Sequence, residues 1–126
     1  MKGPGGLTRA ERLSSEKDIG KVFRHGRYFR LGLLQAKTLP RQEQENSRFL
    51  ISVRKSAGSA PARNRIKRVV REAIRQNRDM LVRPYDVCLF VTGKPKLPVL
   101  LSSVEPEIQR LFARLSGGRD GSPNDG

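Results

Sequence analysis

The chain has 126 residues, which allows one domain with a single modest core and excludes two independent domains. Its 26 basic residues outnumber its 12 acidic residues and leave a net charge of +14, so nucleic acid or another anionic surface is the expected partner. No run approaches the ~20 apolar residues of a membrane-spanning helix. The N-terminal residues lack the apolar segment of a secretion signal, so we expect a cytoplasmic protein.

The sequence contains one cysteine and one histidine. Cys88 has no partner for an internal disulfide, which is typical of a reducing compartment. Its neighbours Val87, Leu89 and Phe90 predict a buried strand residue, not a reactive thiol. His25 has no evident catalytic or metal-binding partner. We therefore expect no structural zinc site, and we interpret this histidine as a helix-end or RNA-contacting residue.

The first predicted element is a short helix. It follows the Gly-rich residues 1–6, which we expect to be a flexible N-terminus. Ser14 or Ser15 can cap the helix, and Gly26 is placed to end it. Its apolar side consists of Ile19, Val22 and Phe23. These features predict a short helix with well-defined ends.

Two strands are predicted next. Residues 27–39 have strand character, with Gly32 as a bulge or a point of close approach. After a polar connection, residues 48–55 alternate clearly between two faces. One face carries Phe49, Ile51 and Val53, and the other carries Leu50, Ser52 and Arg54.

Residues 61–78 predict a helix with an apolar stripe and a strongly basic opposite side. The stripe consists of Ile66, Val69, Val70, Ala73 and Ile74. The opposite side carries Asn64, Lys67, Arg68, Arg71, Arg75 and Arg78, with Arg63 and Arg65 near the helix start. Like charges at four-residue spacing repel by a few tenths of a kcal/mol per pair. A bound polyanion would reverse this cost by releasing counterions, whereas a merely solvated helix would normally mix Glu with Lys.

The last part of the chain predicts a strand and a helix. Residues 85–93 are nearly continuously apolar, as expected of a central strand covered on both faces. With the preceding strand and basic helix they could form a parallel βαβ unit, for which a right-handed crossover is the default. Ser102 or Ser103 opens the final helix, in which we expect Pro106 to be tolerated because it falls in the first turn. The apolar side of this helix consists of Val104, Ile108, Leu111, Phe112 and Leu115. Residues 116–126 have the composition of a disordered tail.

Known catalytic signatures are missing from the sequence. It has neither a G-x-G-x-x-G motif nor the GKS or GKT end of a phosphate-binding loop, and it lacks a G-x-S-x-G nucleophile elbow. Its acidic residues are scattered among basic neighbours and offer no carboxylate pair for metal-assisted phosphodiester cleavage. The protein alone is therefore not expected to catalyse a reaction. Any enzyme to which it belongs must obtain its active site from another molecule.

The region 48–78 resembles the signature region of the bacterial ribonuclease P protein subunit family. Its R-N-R motif, Arg63-Asn64-Arg65, opens a basic helix after a strand and a Gly-containing loop. The segments ERL, KVFRHG and YDVCLFV follow the family's order and approximate spacing, so the resemblance covers residues 7–115. RNRIKR in this context is a specific signal, whereas a basic helix by itself is not.

The resemblance implies an α/β (α+β) fold for residues 7–115, a single-domain sandwich of a mixed four-stranded sheet with helices in the order αβββαβα. It also implies a left-handed βαβ crossover, opposite to the default hand. The implied function is that of the protein subunit of a ribonucleoprotein endoribonuclease, whose catalytic RNA removes the 5′ leader from precursor tRNA. Divalent ions, usually Mg²⁺, would be held mainly by the RNA. No organic cofactor and no membrane are implied, and one protein with one RNA is the expected complex.

The resemblance also implies two RNA-binding surfaces. The contacts to the catalytic RNA would be Arg63, Asn64, Arg65, Lys67, Arg68, Arg71 and Arg75. A cleft between the first helix and the sheet would bind the single-stranded leader through Ile19, Phe23, Lys37, Ser52, Arg54, Lys55 and Lys94. Ile19 and Lys37 stand where relatives can carry aromatic residues, and Thr92 and Gly93 replace basic residues of some relatives. We therefore expect leader binding here to depend less on stacking and more on charge.

Two other functions are compatible with parts of the sequence. A ribosomal or other structural RNA-binding protein of similar fold would share the basic helix but would not depend on a 5′ leader. A protein-only nuclease would cleave without an RNA subunit, which the lack of an acidic cluster disfavours. For Phe23 itself, ordinary core packing beside Val22 is the alternative to a leader contact.

Overall fold

The computed structural model describes residues 7–117, so the predicted flexible N-terminus (1–6) and most of the predicted tail (118–126) lie outside the described residues. Seven main elements follow one another as α1 (Glu16–His25), β1 (Arg27–Arg30), β2 (Gln35–Pro40), β3 (Arg48–Val53), α2 (Ala60–Asn77), β4 (Tyr85–Val91) and α3 (Leu101–Gly117). Short 3₁₀ turns lie at Arg9–Glu11, Lys55–Ala57 and Arg78–Met80. The order αβββαβα that the resemblance implied is confirmed.

The four strands form one mixed sheet in the order β1-β2-β4-β3. β1 pairs with β2 and β2 pairs with β4 in antiparallel fashion, whereas β3 and β4 are parallel. Six of the seven β4 residues are buried, which confirms β4 as a central strand. The connection β3-α2-β4 joins two neighbouring parallel strands. The left-handed crossover implied by the resemblance stays a prediction.

The sheet has two unequal faces. On one face, α2 and α3 cover the main core, which contains Phe29, Phe49, Val70, Ile108 and Phe112. On the other face, α1 crosses β2 and β4 over a small cluster of Leu13, Val22 and Cys88. Because α1 has only 10 residues, it covers part of this face and leaves the rest open.

Residues 27–39 form a hairpin, so the prediction of a single strand there is wrong. The Leu31 N–H donates to the Leu34 carbonyl (3.0 Å), and the Glu107 carboxylate of α3 accepts from the N–H groups of Leu33 (3.0 Å) and Leu34 (2.8 Å). Gly32 is the predicted point of close approach, since a Cβ there would lie 2.6 Å from a Glu107 carboxylate oxygen. A carboxylate from a distant helix therefore replaces strand pairing at this turn.

The ends of α1 and α2 follow local sequence signals. Ser15 caps α1 by accepting from the Asp18 N–H (3.3 Å), and Gly26 ends it as predicted. Gly26 has an ordinary φ of −77°, but a Cβ there would lie 2.4 Å from the Val22 carbonyl oxygen, so the reason for glycine is space. Ser59 caps α2, which begins at Ala60, one residue before the predicted region, and the predicted apolar stripe faces the core.

The start and end of α3 differ from the prediction. The Leu100 carbonyl already accepts from the N–H groups of Ser103 and Val104, so the helix begins at Leu101 and both candidate cap serines lie inside it. Pro106 is consequently the sixth helical residue, in the second turn, where it forgoes one backbone hydrogen bond. The helix continues to Gly117, so residues 116 and 117 are helical and not part of a tail.

No helix within residues 7–117 has the length and apolar character needed to cross a bilayer.

Candidate nucleic-acid interface

The basic face is the polar side of α2, opposite the core. We define it as Asn64, Arg65, Lys67, Arg68 and Arg71. Asn64, Arg65 and Arg68 are exposed to solvent, and Lys67 and Arg71 are half-buried. Among residues 7–117, no carboxylate forms an ion pair with any of these four cations. The basic face therefore presents several cations whose charge is not neutralised by the fold.

Arg63 and Arg75, the other predicted contacts on α2, are engaged by the protein itself. The Arg63 side chain turns back toward the helix start, where its Nε donates to the Gly58 carbonyl (3.1 Å). Arg75 donates two bonds to the Glu72 carboxylate, from Nη2 (2.8 Å) and Nε (3.3 Å). Hydrogen bonding to Arg75 lowers the pKa of Glu72 below its usual range, and the same pairing raises the pKa of Arg75.

Arg78 follows the same pattern at the end of α2. It pairs with Glu11, which also closes a capping box with Thr8 at the N-terminal 3₁₀ turn. The end of α2, from Arg75 to Arg78, therefore has its charge largely neutralised, whereas the stretch from Arg65 to Arg71 does not. Of the predicted RNA contacts on α2, Arg75 is the one that lies at the neutralised end.

Arg12 is a basic residue that belongs to this region and that sequence reasoning missed. Arg12 itself bridges to Phe49 along the outer edge of β3, and it lines a groove together with Lys67 and Arg71. Burial, followed by the nearby charges of Arg12 and Arg68, lowers the pKa of Arg71. Arg12 is the arginine of the ERL segment, which the family resemblance did single out. Its position far from α2 along the chain gave no indication that it would lie beside Lys67 and Arg71.

The second predicted surface is the cleft between α1 and the open part of the sheet. Phe23 of α1 is 43% exposed, and its ring centroid lies 5.9 Å from that of Phe90 on β4. This exposure argues against simple core packing for Phe23. The two rings form an accessible aromatic pair at the mouth of the cleft, on which an unstacked base could lie.

The sequence did not identify Phe90 as a cleft residue, because the nearly continuous apolar pattern of β4 predicts a strand buried along its whole length. It is the one half-buried residue of that strand, and it lies opposite Ser52 on β3 and Gln35 on β2. The signal that could have found it is its position on the same face as Cys88, beyond the reach of a short α1. An aromatic residue thus stands in the cleft even though Ile19 and Lys37 are not aromatic.

Ile19 and Lys37 help to hold α1 in place. Ile19 packs against the cluster of Leu13, Val22 and Cys88. The Lys37 ammonium donates to the Phe23 carbonyl in the last turn of α1 (2.8 Å), a favourable position for a cation at a helix C-terminus. Both predicted residues therefore border the cleft, and one of the three Lys37 donors is already used.

The remaining predicted cleft residues meet at one end of the sheet. Ser52, Arg54 and Lys55 are exposed and follow one another from β3 into the next turn. The Ser56 hydroxyl donates to the Gly93 carbonyl (3.4 Å), which brings the backbone beside Lys94 to the same turn. This exposed basic end of the sheet lies between the cleft and the start of α2.

An ion-pair cluster fixes the opposite end of the cleft floor. Asp86 on β4 is 6% exposed and accepts two bonds from Arg48 (2.8 and 2.7 Å), while Arg41 lies 3.5 Å away. Arg48 also reaches Asp18 of α1 (3.3 Å), so the cluster ties α1 to the sheet. Hydrogen bonding to Asp86 raises the pKa of Arg48.

Cys88 lies beneath α1 and is fully buried. Burial, reinforced by the charge of Asp86, raises the pKa of its thiol to about 11, so the thiol stays protonated at neutral pH. The prediction of a buried strand cysteine is confirmed. Within residues 7–117, no three His, Cys, Asp or Glu side chains come together as possible metal ligands.

Comparisons with known proteins agree with this architecture. A family model described as Ribonuclease P matches residues 7–116. The ribonuclease P protein component of Bacillus velezensis is 30% identical over 110 residues, which cover 87% of this chain and 93% of that protein. That of Lactobacillus johnsonii is 37% identical over 120 residues, covering 82% of this chain and 98% of that protein.

Solved structures give the same result for the fold. The RNase P protein from Thermotoga maritima superimposes with a TM-score of 0.70 at 26% identity, covering 82% of this chain and 96% of that chain. The Staphylococcus aureus RNase P protein gives a TM-score of 0.73 at 21% identity, covering 86% and 99% respectively, which supports the fold alone. Because the family model spans nearly all the described residues, the chain belongs to the ribonuclease P protein family.

Proposed function

We propose that this protein acts in the cytoplasm as the protein subunit of ribonuclease P, as a monomer bound to one catalytic RNA. In this proposal the basic face binds the RNA subunit and the cleft binds the 5′ leader of precursor tRNA. The complex then removes the leader by endonucleolytic cleavage and leaves the mature 5′ end. The family membership gives the enzyme and its RNA partner, whereas the two binding roles are our inference.

The observation that carries the proposal is the contrast between free and paired cations on α2. Arg65 and Arg68 are exposed and have no carboxylate partner among residues 7–117, whereas Arg75 and Arg78 are paired with Glu72 and Glu11. A fold that can neutralise cations at the end of this helix leaves those between Arg65 and Arg71 without a carboxylate partner among the described residues. Unpaired cations of this kind bind phosphates, and each phosphate neutralised releases condensed counterions.

The protein would position the reactants, and the RNA would carry out the cleavage. Within residues 7–117 the acidic side chains are dispersed and do not converge as metal ligands, so the described residues do not fit a protein-held Mg²⁺ site. In our proposal Mg²⁺ is held mainly by phosphates of the RNA. The basic residues of the protein would reduce repulsion between the RNA subunit and its tRNA substrate, and so lower the Mg²⁺ concentration that cleavage requires.

The cleft supports leader binding over a purely structural role. Phe23 and Phe90 offer an accessible aromatic pair, and Ser52, Arg54 and Lys55 place polar and basic groups on and beyond the same side of the sheet. Single-stranded RNA binds where aromatic platforms meet a positive groove. A ribosomal or other structural RNA-binding protein would need no such cleft for a free 5′ extension.

Reconstitution tests the proposal directly. Purified protein, a bacterial ribonuclease P RNA and a tRNA with a 5′ extension are mixed at low Mg²⁺, and the 5′ end of the product is mapped. We expect mature 5′ ends only when both macromolecules are present. Cleavage by the protein without the RNA would identify a protein-only nuclease. Tight RNA binding with no effect on cleavage would identify a structural RNA-binding protein.

A further inference from the structure

A groove at the start of α2 adjoins the basic face, with which it shares Arg65, and is separate from the cleft. Its walls are the first turn of α2, at Pro61 and Ala62, and the loop residues Leu97 and Pro98. Its floor consists of the buried residues Ile66 and Val99. Arg65 is the one charged residue in the lining. The groove has a volume of about 380 Å³, at the lower end of the range for ligand pockets.

The groove is open because the loop leaves apolar side chains on the surface. Leu97 is 47% exposed, although it packs over the start of α2, where a Cβ on Gly58 would lie 3.6 Å from its Cδ1 atom. Gly58 has a φ of +150°, a backbone conformation that favours glycine, and the Leu97 side chain lies against it at ordinary contact distance. Leu97 is therefore held in position while much of its surface remains in water.

The charges around the groove select its occupant. Lys94 and Lys96 are exposed in the same loop, and no acidic residue lies between residues 92 and 104. Arg65 belongs both to the groove and to the basic face. An apolar slot bordered by cations matches a nucleotide, whose base has apolar faces and whose phosphate is anionic. An anion without an apolar surface would satisfy the cations but would leave the apolar lining uncovered.

We propose that this groove receives one unstacked base of the RNA subunit, held between the Leu97-Pro98 wall and the planar guanidinium of Arg65. The inference depends on the proposed function, because it adds a base contact to the phosphate contacts of the basic face. The effect of losing the base contact differs from the effect of losing a phosphate contact. A lost base contact should weaken binding without changing its salt dependence, whereas a lost phosphate contact should change both.

The first test compares Leu97→Ser with Leu100→Ser. Leu100 is 52% exposed in the same loop but does not line the groove, so it is a matched control. Affinity for the ribonuclease P RNA is measured over a range of salt concentrations, and thermal melting checks folding. We expect Leu97→Ser to weaken binding by about 5- to 100-fold with an unchanged salt slope. Leu100→Ser should stay within twofold of the wild type.

The second test uses the shape of the arginine side chain. Arg65→Lys keeps the charge but removes the planar group, and Arg68→Lys makes the same change outside the groove. We expect Arg65→Lys to weaken binding at least fivefold more than Arg68→Lys, with similar salt slopes for both. Equal effects would overturn the role of Arg65 in the groove.

The third test identifies the base. An aryl azide attached to Leu97→Cys should cross-link to one unpaired nucleotide of the RNA, and the native Cys88 is too buried to react. An abasic substitution at that nucleotide should then remove the difference between wild type and Leu97→Ser. Cross-links scattered over many nucleotides would overturn the proposal.

The outcomes separate the groove from the wider function. Wild-type affinity for Leu97→Ser, together with weak binding by Arg65→Ala/Arg68→Ala, would overturn the groove alone. Wild-type affinity for all these variants would overturn the proposed function as well. If the RNA-free protein sediments as a dimer that Leu97→Ser dissociates, the groove is an interface between two copies and the base proposal is wrong.

Discussion

Arg65 and Arg68 on the basic face have no carboxylate partner among residues 7–117, whereas Arg48 beneath the cleft donates two bonds to Asp86 and reaches Asp18. The two surfaces thus use basic residues in different ways. On the basic face the cations remain available to a ligand, and under the cleft they hold α1 on the sheet. Binding to the basic face should therefore respond strongly to salt. Leader binding in the cleft, which the sequence alone predicted to depend mainly on charge, should also depend on stacking because Phe90 adds a second ring beside Phe23.

The largest expected effect concerns the cleft floor. Arg48→Met removes the bidentate partner of Asp86, which is 6% exposed, and leaves a nearly buried carboxylate under-compensated. We expect the free energy of unfolding to fall by about 3 kcal/mol, at the lower end for such losses because Arg41 remains 3.5 Å from Asp86. Urea denaturation measures this change. A fall below about 1 kcal/mol would show that the cluster does not stabilise the cleft.

The next prediction concerns the basic face and uses a charge-matched control. Arg65→Ala/Arg68→Ala should weaken binding to the ribonuclease P RNA by about 100-fold, and should reduce the slope of log affinity against log salt by between about 1 and 2. Arg75→Ala/Arg78→Ala removes the same charge from residues that are already paired with Glu72 and Glu11. Its effect on affinity should be several-fold smaller. Equal losses from the two double variants would show that only net charge matters.

A third prediction tests whether α1 keeps water from the floor of the cleft. The pKa of Cys88 is raised to about 11 in the folded protein, from an ordinary value near 9. Between these values the unfolded chain loses a proton that the folded chain retains, so stability should fall as the pH rises from 9 to 11. The loss attributable to Cys88 should be about 2 kcal/mol.

Urea denaturation at several pH values between 8 and 11 measures this loss, with Cys88→Ala as the control for other titrating groups. The stability difference between wild type and Cys88→Ala should shrink over that range. A constant difference would mean that the thiol is accessible to water in the folded state.

The smallest expected effect concerns the cleft itself. Phe23→Ala should reduce affinity for precursor tRNA about five- to tenfold in the reconstituted complex while changing affinity for mature tRNA little, since one stacked base contributes ~1 kcal/mol or more. Val82→Ala is a control, because Val82 is 72% exposed and lies outside the cleft. An equal loss of affinity for both tRNAs would show that Phe23 packs within the protein and does not contact the leader. A double-mutant cycle of Phe23→Ala and Phe90→Ala should give a coupling free energy of about 1 kcal/mol in precursor-tRNA binding.

The sequence predicted the helices and the central strand because their signals are local. The apolar stripe of α2, Ser15 and Gly26 at the ends of α1 and the alternation around Phe49 each depend on residues a few positions apart. Where a distant group intervened, the prediction failed. Within the predicted single strand, residues 31–34 form a hairpin turn whose Leu33 and Leu34 N–H groups donate to Glu107 of α3, a contact that the local sequence does not reveal.

For the site, the sequence by itself determined the excess of positive charge on α2 and the residue types available to bind RNA. The pairing of Arg75 with Glu72 is local to the helix. Only the tertiary structure decided that Arg78 is also paired, because Glu11 comes from a segment 67 residues away. It also decided that Phe90 enters the cleft, since a short α1 leaves that part of β4 uncovered. The physical reason is that helix periodicity fixes which side of an element a residue faces, whereas burial and ion pairing depend on what the fold brings to that side.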